Sequence, residues 1–428
     1  MSENDYLKEI PLSEVAVDAP DAFVDGPFGS NLKSAEYTDD GVRLIQLQNI
    51  GVGQWLDFSK KFVSKRKLAT LARHAVRAGD IAIAKMAEPV ARACVVPPVA
   101  DDFLVVADCI KLRVNEAKAD PRFVVDLLNS HDFRTQAERK SIGTTRIRIN
   151  LSVLKSLEIA VPGLAVQRRI AEILDTADEA IQSTERLIAK LEQAKQGLLH
   201  DILARGIDKG GCLRDPARLT GSPVEARTPQ WQSVRLRDIA DVTSGSTPSR
   251  AIDWFWKDGT VPWVKTAEIN FSRIYNTTEK ITRTSLNNTG MRIYPVDTVL
   301  VAMYGEGVTR GRVAILGVPA ATNQACAAIS GNRSRLSQRF LYNYLRANYD
   351  RLRALGHGSQ QTNLSGALLG EFLISLPSMA EQERISDLLD HLDKRSGLEE
   401  MTLDKLRLLK QGLMDDLLTG RVRVGASA

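Results

Sequence analysis

The chain has 428 residues, a formal net charge of +5 and an isoelectric point near 8.9. That length predicts two to four domains, and the mild basic excess permits nucleic-acid binding without demonstrating it. Cys94, Cys109, Cys212 and Cys326 are too scattered for a zinc site and fit reduced thiols; the first five residues are polar and acidic rather than a signal peptide, and no apolar run approaches the ~18 residues of a membrane span, so the expectation is a soluble, cytoplasmic protein.

In chain order, Tyr6 to Val161 reads as a first globular region of mixed character. Short apolar runs at Val42 to Leu47, Ile81 to Ala84, Cys94 to Val96 and Cys109 to Val114 predict strands, separated by turn-rich stretches such as Asp25-Gly26-Pro27-Phe28-Gly29-Ser30-Asn31. A helix is predicted from Pro121 to about Glu138. A loop over Ile142 to Arg148 then leads through Asn150-Leu151-Ser152 to a long helix that begins near Pro162. Beyond Leu203, the Gly-, Pro- and charge-rich stretch from Gly206 to Gln230 reads as an exposed connection. Trp231 opens a second globular region that runs to Leu376, and a second long helix follows from Pro377.

The two long helices are copies of each other. Pro162 to Leu203 and Pro377 to Leu418 align without a gap at a spacing of 215, with 17 of 42 positions identical. A long repeat present only twice indicates two fused copies of one unit rather than a solenoid. Apolar residues at Ile170, Leu174, Ala177, Ile181, Ile188, Leu191, Leu198 and Ile202 follow the 3–4 alternation of a coiled-coil seam, with lapses at Thr184 and Lys195. The second seam is poorer, with Ser396, Gly397 and Glu399 in mid-helix; Gly there costs about 1 kcal/mol relative to Ala, so a kink or loose packing is expected near Gly397. At ~1.5 Å per residue each helix spans about 63 Å, and the natural partner of each is its own copy.

The globular regions echo each other more loosely. Asp80-Ile81-Ala82-Ile83 matches Asp297-Thr298-Val299-Leu300, Arg92 matches Arg310, Phe123 matches Phe340, and Asn150-Leu151-Ser152 reappears as Asn363-Leu364-Ser365. Elsewhere the loops and polar residues differ. Two related domains reading two different targets would look like this, as would drift after duplication.

Catalytic signatures are missing. The chain has no Gly-x4-Gly-Lys-Ser/Thr phosphate loop, no Asn/Asp-Pro-Pro-aromatic tetrapeptide of amino-methyltransferases and no Gly-x-Ser-x-Gly elbow, and its five histidines are dispersed. The reading is a non-enzyme. Groups suited to base and phosphate readout are present instead. Asn31, Lys33, Gln46, Gln48 and Asn49 bring together amides and a cation able to pair with base edges, and Lys61, Lys65, Arg66, Lys67, Arg73 and Arg77 form a cationic tract for phosphates. Lys85, Arg92, Arg146 and Arg148 fall on or beside predicted strand ends and loops. The second region offers Arg250, Lys265, Tyr304, Arg310, Arg312, Asn323-Gln324 and Gln360-Gln361-Thr362.

This combination resembles the specificity subunit of Type I restriction–modification systems, over nearly the whole chain. Gly26-Pro27-Phe28-Gly29-Ser30-Asn31-Leu32, with Gly41-Val42 and Asn49-Ile50, is similar to one type of first recognition domain. Ser244-Gly245-Ser246-Thr247-Pro248, Val261 to Lys265, Arg310 to Ala314 and Thr322 to Ala325 are similar to another type. Leu376-Pro377 through Glu381-Gln382 looks like the family's helix start, from which the first copy departs with Val166-Gln167.

The resemblance implies an α+β chain in which two target-recognition domains (1–161 and 231–376) alternate with two long helices (162–205 and 377–420), with a linker at 206–230 and a tail at 421–428. The helices would pack as an antiparallel coiled coil within an internal pseudo-two-fold duplication. It also implies double-stranded DNA, two methyltransferase subunits and two restriction–translocase subunits as partners. S-adenosylmethionine, ATP and Mg²⁺ would sit on those partners and none on this chain. The candidate DNA-binding residues are then Asn31, Lys33, Gln48, Lys85, Arg92, Arg146, Arg148, Arg250, Lys265, Tyr304, Arg310, Arg312 and Gln361. The candidate partner-binding residues are the repeated helix positions Gln167, Arg169, Lys195, Gln382, Arg384 and Lys410. A stand-alone DNA-binding regulator is the rival reading, distinguished by tight DNA binding without a partner.

Overall fold

The computed structural model describes residues 6–86, 88–143, 147–215, 231–305, 308–332, 334–355 and 363–425. The chain divides into two compact units, residues 1–185 with 401–428, and residues 186–400. Each long helix, Leu164–Arg205 and Met379–Leu418, therefore contributes one part to each unit.

In the first unit, Phe23–Asp25, Cys109–Leu112, Ile81–Ala84 and Ala93–Val95 form an antiparallel four-stranded sheet in that order. A five-stranded sheet places Val42–Ile45 between Phe62–Val63 and Phe103–Val105, the latter pair parallel. The ladder Lys8–Pro11 with Glu158–Val161 closes the unit beside the long helix. Its main core joins Phe23, Ile81, Ile110 and Phe123 to Ile170 and Leu174 at the start of the first long helix and to Leu417 and Leu418 at the end of the second.

The second unit uses the same order. Ala240–Ser244, Cys326–Gly331, Val299–Ala302 and Val313–Leu316 are hydrogen-bonded neighbours, extended by Arg273–Ile274. Glu279–Ile281, Val261–Val264 and Ala321–Thr322 form a smaller sheet whose last pair is parallel. Gln232–Arg235 pairs with Leu373–Leu376. The core gathers Phe340 and Leu341 with Leu199 and Ile202 from the first long helix and Ile385 and Leu389 from the second.

Several expectations are corrected. The helix expected from Pro121 to Glu138 is two, Pro121–Asn129 and His131–Arg139, because the Ser130 hydroxyl accepts from the Phe133 N–H and starts a new helix. The second long helix runs unbroken through Gly397, where a Cβ would meet nothing within 4 Å; its two glycines, Gly397 and Gly412, are carried by the helical turns on either side. The expected exposed connection is pinned at its start. Ile207 is buried, its N–H donates to Glu381 Oε1 at 3.0 Å, and Arg214 pairs with Glu381 Oε2 at 2.8 Å. Residues 216–230 of that connection lie outside the described residues.

The register between the two globular regions also shifts. The N–H groups of Val96 and Leu316 donate to the carbonyls of Asp80 and Thr298, so Asp80 corresponds to Thr298 rather than to Asp297. The N–H groups of Ala84 and Ala302 donate to the carbonyls of Arg92 and Arg312 respectively, which makes Arg312, not Arg310, the counterpart of Arg92. Ile149 and Leu364 donate to Lys85 and Met303, moving the Asn-Leu-Ser match by two positions. Loop lengths differ between the units, so short identities in sequence slid by one or two residues.

Candidate nucleic-acid interface

The glycines of the two recognition-type motifs are fixed by close backbone approach. Gly26 follows the strand Phe23–Asp25, and a Cβ there would lie 2.0 Å from the Val106 carbonyl oxygen. Gly245 follows Ala240–Ser244 and faces the Thr322 carbonyl at 1.9 Å in the same way. Each glycine lets the chain cross a neighbouring backbone before turning outward. The next residues emerge into solvent: Phe28 is 76% exposed, an unusual state for an aromatic ring, and Asn31 and Lys33 are exposed beside it.

In the first unit Lys33 begins the short 3-10 turn Ser34–Glu36. Its N–H donates to Glu36 Oε2 at 2.8 Å, and Lys67 Nζ donates to Glu36 Oε1 at 2.6 Å. These donors hold the Glu36 carboxyl below the usual carboxylate range, the Lys33 backbone N–H first and Lys67 next. Gln48 is exposed and donates to Gln46 Oε1 at 3.3 Å; Asn49 is buried, with its amide spent on the Leu56 and Ser59 carbonyls at 3.0 Å each. Lys61, Lys65, Arg66, Arg73 and Arg77 are exposed, as a phosphate-facing tract requires. Arg148 is exposed and paired with Asp108 at 2.5 Å. Arg146 lies outside the described residues.

Two expected DNA contacts are corrected. Lys85 is buried, with Nζ donating to Asp25 at 2.6 Å. The Arg92 guanidinium donates to the Ile50, Leu47 and Pro89 carbonyls at 2.7, 2.9 and 3.3 Å, tying two loops together. Burial pushes the Arg92 pKa down. Both cations fall next to strand ends in sequence, yet their side chains turn inward to satisfy buried acceptors.

In the second unit Arg250 and Lys265 come together beside Val261–Val264. Arg250 lies 3.7 Å from the Trp256 ring centroid and pairs with Glu279 at 2.5 Å; Lys265 Nζ donates to the other Glu279 oxygen at 2.7 Å. Arg250 first, then Lys265, draws the Glu279 pKa down. Glu279 and Trp256 escaped the sequence reading; the dense run Trp254-Phe255-Trp256 ahead of Trp263 was the available signal. Thr247 donates to Gln324 Oε1 at 2.5 Å, linking two motif loops. Tyr304 is 42% exposed, Arg310 is half-buried, and the Arg312 guanidinium lies 6.0 Å from the Phe271 ring. Gln360, Gln361 and Thr362 lie outside the described residues.

Four of the six expected partner contacts are internal. Gln167 is buried: its oxygen accepts from Asp120 N–H at 3.0 Å and its nitrogen donates to the Pro162 carbonyl at 2.8 Å. Gln382 repeats this with Ser337 N–H at 2.8 Å and the Pro377 carbonyl at 2.9 Å. Lys195 pairs with Asp393 inside the second unit, and Lys410 with Asp178 at 2.6 Å inside the first. The repeated helix positions thus mark how each unit holds its helices. Arg169 is exposed and paired with Glu172 at 3.1 Å, and Arg384 is half-buried.

No helix among the described residues is long and apolar enough to cross a membrane, and none of their His, Cys, Asp or Glu groupings fits a metal ion. Cys94, Cys109 and Cys326 are buried thiols pushed up by desolvation, Cys94 to about 12. Residues 42–193 and 229–408 match the family described as the Type I restriction modification DNA specificity domain. The chain belongs to this family. Both matched segments include strands of one globular region and much of one long helix, so the family's domain occurs here twice. The chain is 22% identical to the Type I restriction enzyme HindI specificity subunit of Haemophilus influenzae, over 82% of this chain and 88% of that protein. It is 22% identical to the MjaVIII specificity subunit of Methanocaldococcus jannaschii over 66% of each. The crystal structure of a Type I restriction–modification S subunit from M. genitalium shares the fold, with a TM-score of 0.59 at 16% identity and 97% of both chains covered.

Proposed function

We propose that this chain supplies DNA sequence specificity to a Type I restriction–modification complex. Each globular region (1–161 and 231–376) reads one half of a bipartite, asymmetric site. The two long helices (162–205 and 377–420) act as an antiparallel coiled coil that sets the gap between the halves. The chain catalyses nothing itself: it scaffolds two methyltransferase subunits and the restriction subunits, and S-adenosylmethionine, ATP and Mg²⁺ are held by those partners. The linker (206–230) and tail (421–428) complete a pseudo-two-fold duplication.

The observation that carries this reading is one strand framework used twice with different exposed donors. Amides line the first turn, where Gln48 donates to Gln46, whereas an Arg–Glu–Lys cluster surrounds the second at Lys265. A scaffold kept while its outward chemistry changes is what two readers of two sequences require. Support for the helix roles comes from the ion pairs Lys410–Asp178 and Lys195–Asp393, which occupy repeated positions and clamp one helix to the other within each unit.

The test is a map of methyladenine in cells expressing this chain with its methyltransferase, against cells lacking the chain. A new gapped, two-part motif is expected; an unchanged map overturns the reading. Insertions or deletions between Glu185 and Lys190 should then change the gap and leave both half-sites unchanged.

A further inference from the structure

The cluster around Glu279 has a construction that phosphate binding alone does not explain. Trp263 is almost fully buried, and its Nε1 donates to the Ser246 carbonyl at 3.1 Å. Trp256 packs edge-on against it at 5.0 Å and donates to the Ser249 carbonyl at 3.1 Å. The two indoles thereby anchor the loop that carries Arg250, and the Arg250 guanidinium lies against the Trp256 ring. Lys265 is held at its backbone as well, its N–H donating to Glu268 Oε2 at 2.7 Å, while Glu268 Oε1 accepts from Thr278 N–H at 2.7 Å.

Glu279 gives one carboxylate oxygen to each cation. Both cations stay accessible, with the Arg250 side chain 55% exposed and that of Lys265 34% exposed. Glu279 cancels one of the two positive charges, so the pair draws a phosphate less strongly than two free cations would. A guanine edge loses less by this, because N7 and O6 are uncharged acceptors that match the guanidinium fork. Stacking and the ion pair also fix the fork before DNA arrives, so little rotamer entropy remains to be lost on contact.

We propose that Arg250 reads a guanine in the half-site of the second unit, with Glu279 as the positioning residue that holds Arg250 beside Trp256, pairs with Lys265 and weakens the pull of both on phosphate. The inference rests on the function proposed above and adds to it one base identity and a residue that touches no DNA.

The experiment uses the full chain co-expressed with its methyltransferase, comparing Glu279→Gln, Arg250→Lys and wild type. The two readouts are the methyladenine map and the salt dependence of binding to a duplex lacking the motif. Glu279→Gln should tolerate other bases at one G·C position of the second half-site on the order of tenfold more readily. It should also bind the non-cognate duplex more tightly, because a negative charge beside the phosphates is gone. Arg250→Lys should relax the same position with an unchanged salt slope, since it keeps the charge and loses the fork.

A second half-site without guanine, an unchanged motif in Glu279→Gln, or equal relaxation of both half-sites overturns the proposal. So does loss of all methylation together with a lowered melting temperature, which would make the cluster structural. If wild type gives no bipartite motif at all, the proposed function fails first, and the two failures are told apart.

Discussion

After Val42–Ile45 the first unit makes a 3-10 turn, Leu47–Asn49, begun by Gln46; after Val261–Val264 the second makes the same turn, Thr266–Glu268, begun by Lys265. In both, the third turn residue folds back onto the first residue's N–H, Asn49 at 3.0 Å and Glu268 at 2.7 Å. Both strands then lie beside a parallel neighbour. Only the outward chemistry differs: a neutral Gln46 bonded to Ser59 in one unit, and a Lys265 bonded to Glu279 in the other. Backbone hydrogen bonds and buried apolar residues hold the turn, so its exposed side chains are free to change without unfolding it.

The largest effect is expected where the two frameworks themselves disagree. Asp126 is buried in the first unit among Lys410, Asp178, Asp175 and Arg122; the residue three positions after Phe340, as Asp126 is after Phe123, is the neutral Asn343, also buried. Burial pushes the Asp126 carboxyl from its ordinary 3.8 up to about 7, against the opposing pull of Lys410. A carboxyl whose pKa rises on folding favours the folded state below its unfolded value, and that stability is lost as pH climbs through the folded value. Asp126→Asn should therefore leave the first unit unchanged near pH 3 and stabilise it at pH 8 by as much as ~4 kcal/mol. Thermal melting at the two pH values reads this, and an equal gain at both would sink it.

Next come the shared clamps. Gln167→Ala and Gln382→Ala each orphan buried backbone groups, the Asp120 N–H and Pro162 carbonyl in one unit and the Ser337 N–H and Pro377 carbonyl in the other. Each change should cost about 3 kcal/mol in urea unfolding. A large loss in one unit with none in the other would mean that the frameworks are not equivalent.

Lys265→Ala should weaken recognition of one half-site by about 1–3 kcal/mol and leave the other intact, measured by binding of duplexes altered in one half at a time. Loss of methyltransferase assembly would instead make Lys265 structural. The smallest effect belongs to Arg148→Ala. In its pair with Asp108 the arginine is exposed and the carboxylate half-buried, so melting should report less than about 1 kcal/mol.

Much of the framework was legible because it repeats in a regular element. The long helices keep a gapless spacing through Pro162, Gln167 and Leu174 and their copies, since an inserted residue would rotate every apolar side chain off its face. The site was less legible. Lys85 and Arg92 read like Arg250 and Lys265 in sequence, all cations near strand ends, yet the first two are consumed by Asp25 and by backbone carbonyls. Glu279 was invisible, because an acid in a candidate DNA interface counts against itself until its two cationic partners are seen.

By itself the sequence determined two units, two long helices and a surface chemistry that differs between halves, because these depend on periodicity and on short-range turn residues such as Gly26 and Gly245. Tertiary structure alone decided which repeated residues face inward, which register relates Asp80 to Thr298, and which cations remain at the surface. Those outcomes depend on what each side chain meets from segments tens to hundreds of residues away, such as Lys410 and Asp178, and no local pattern encodes that meeting.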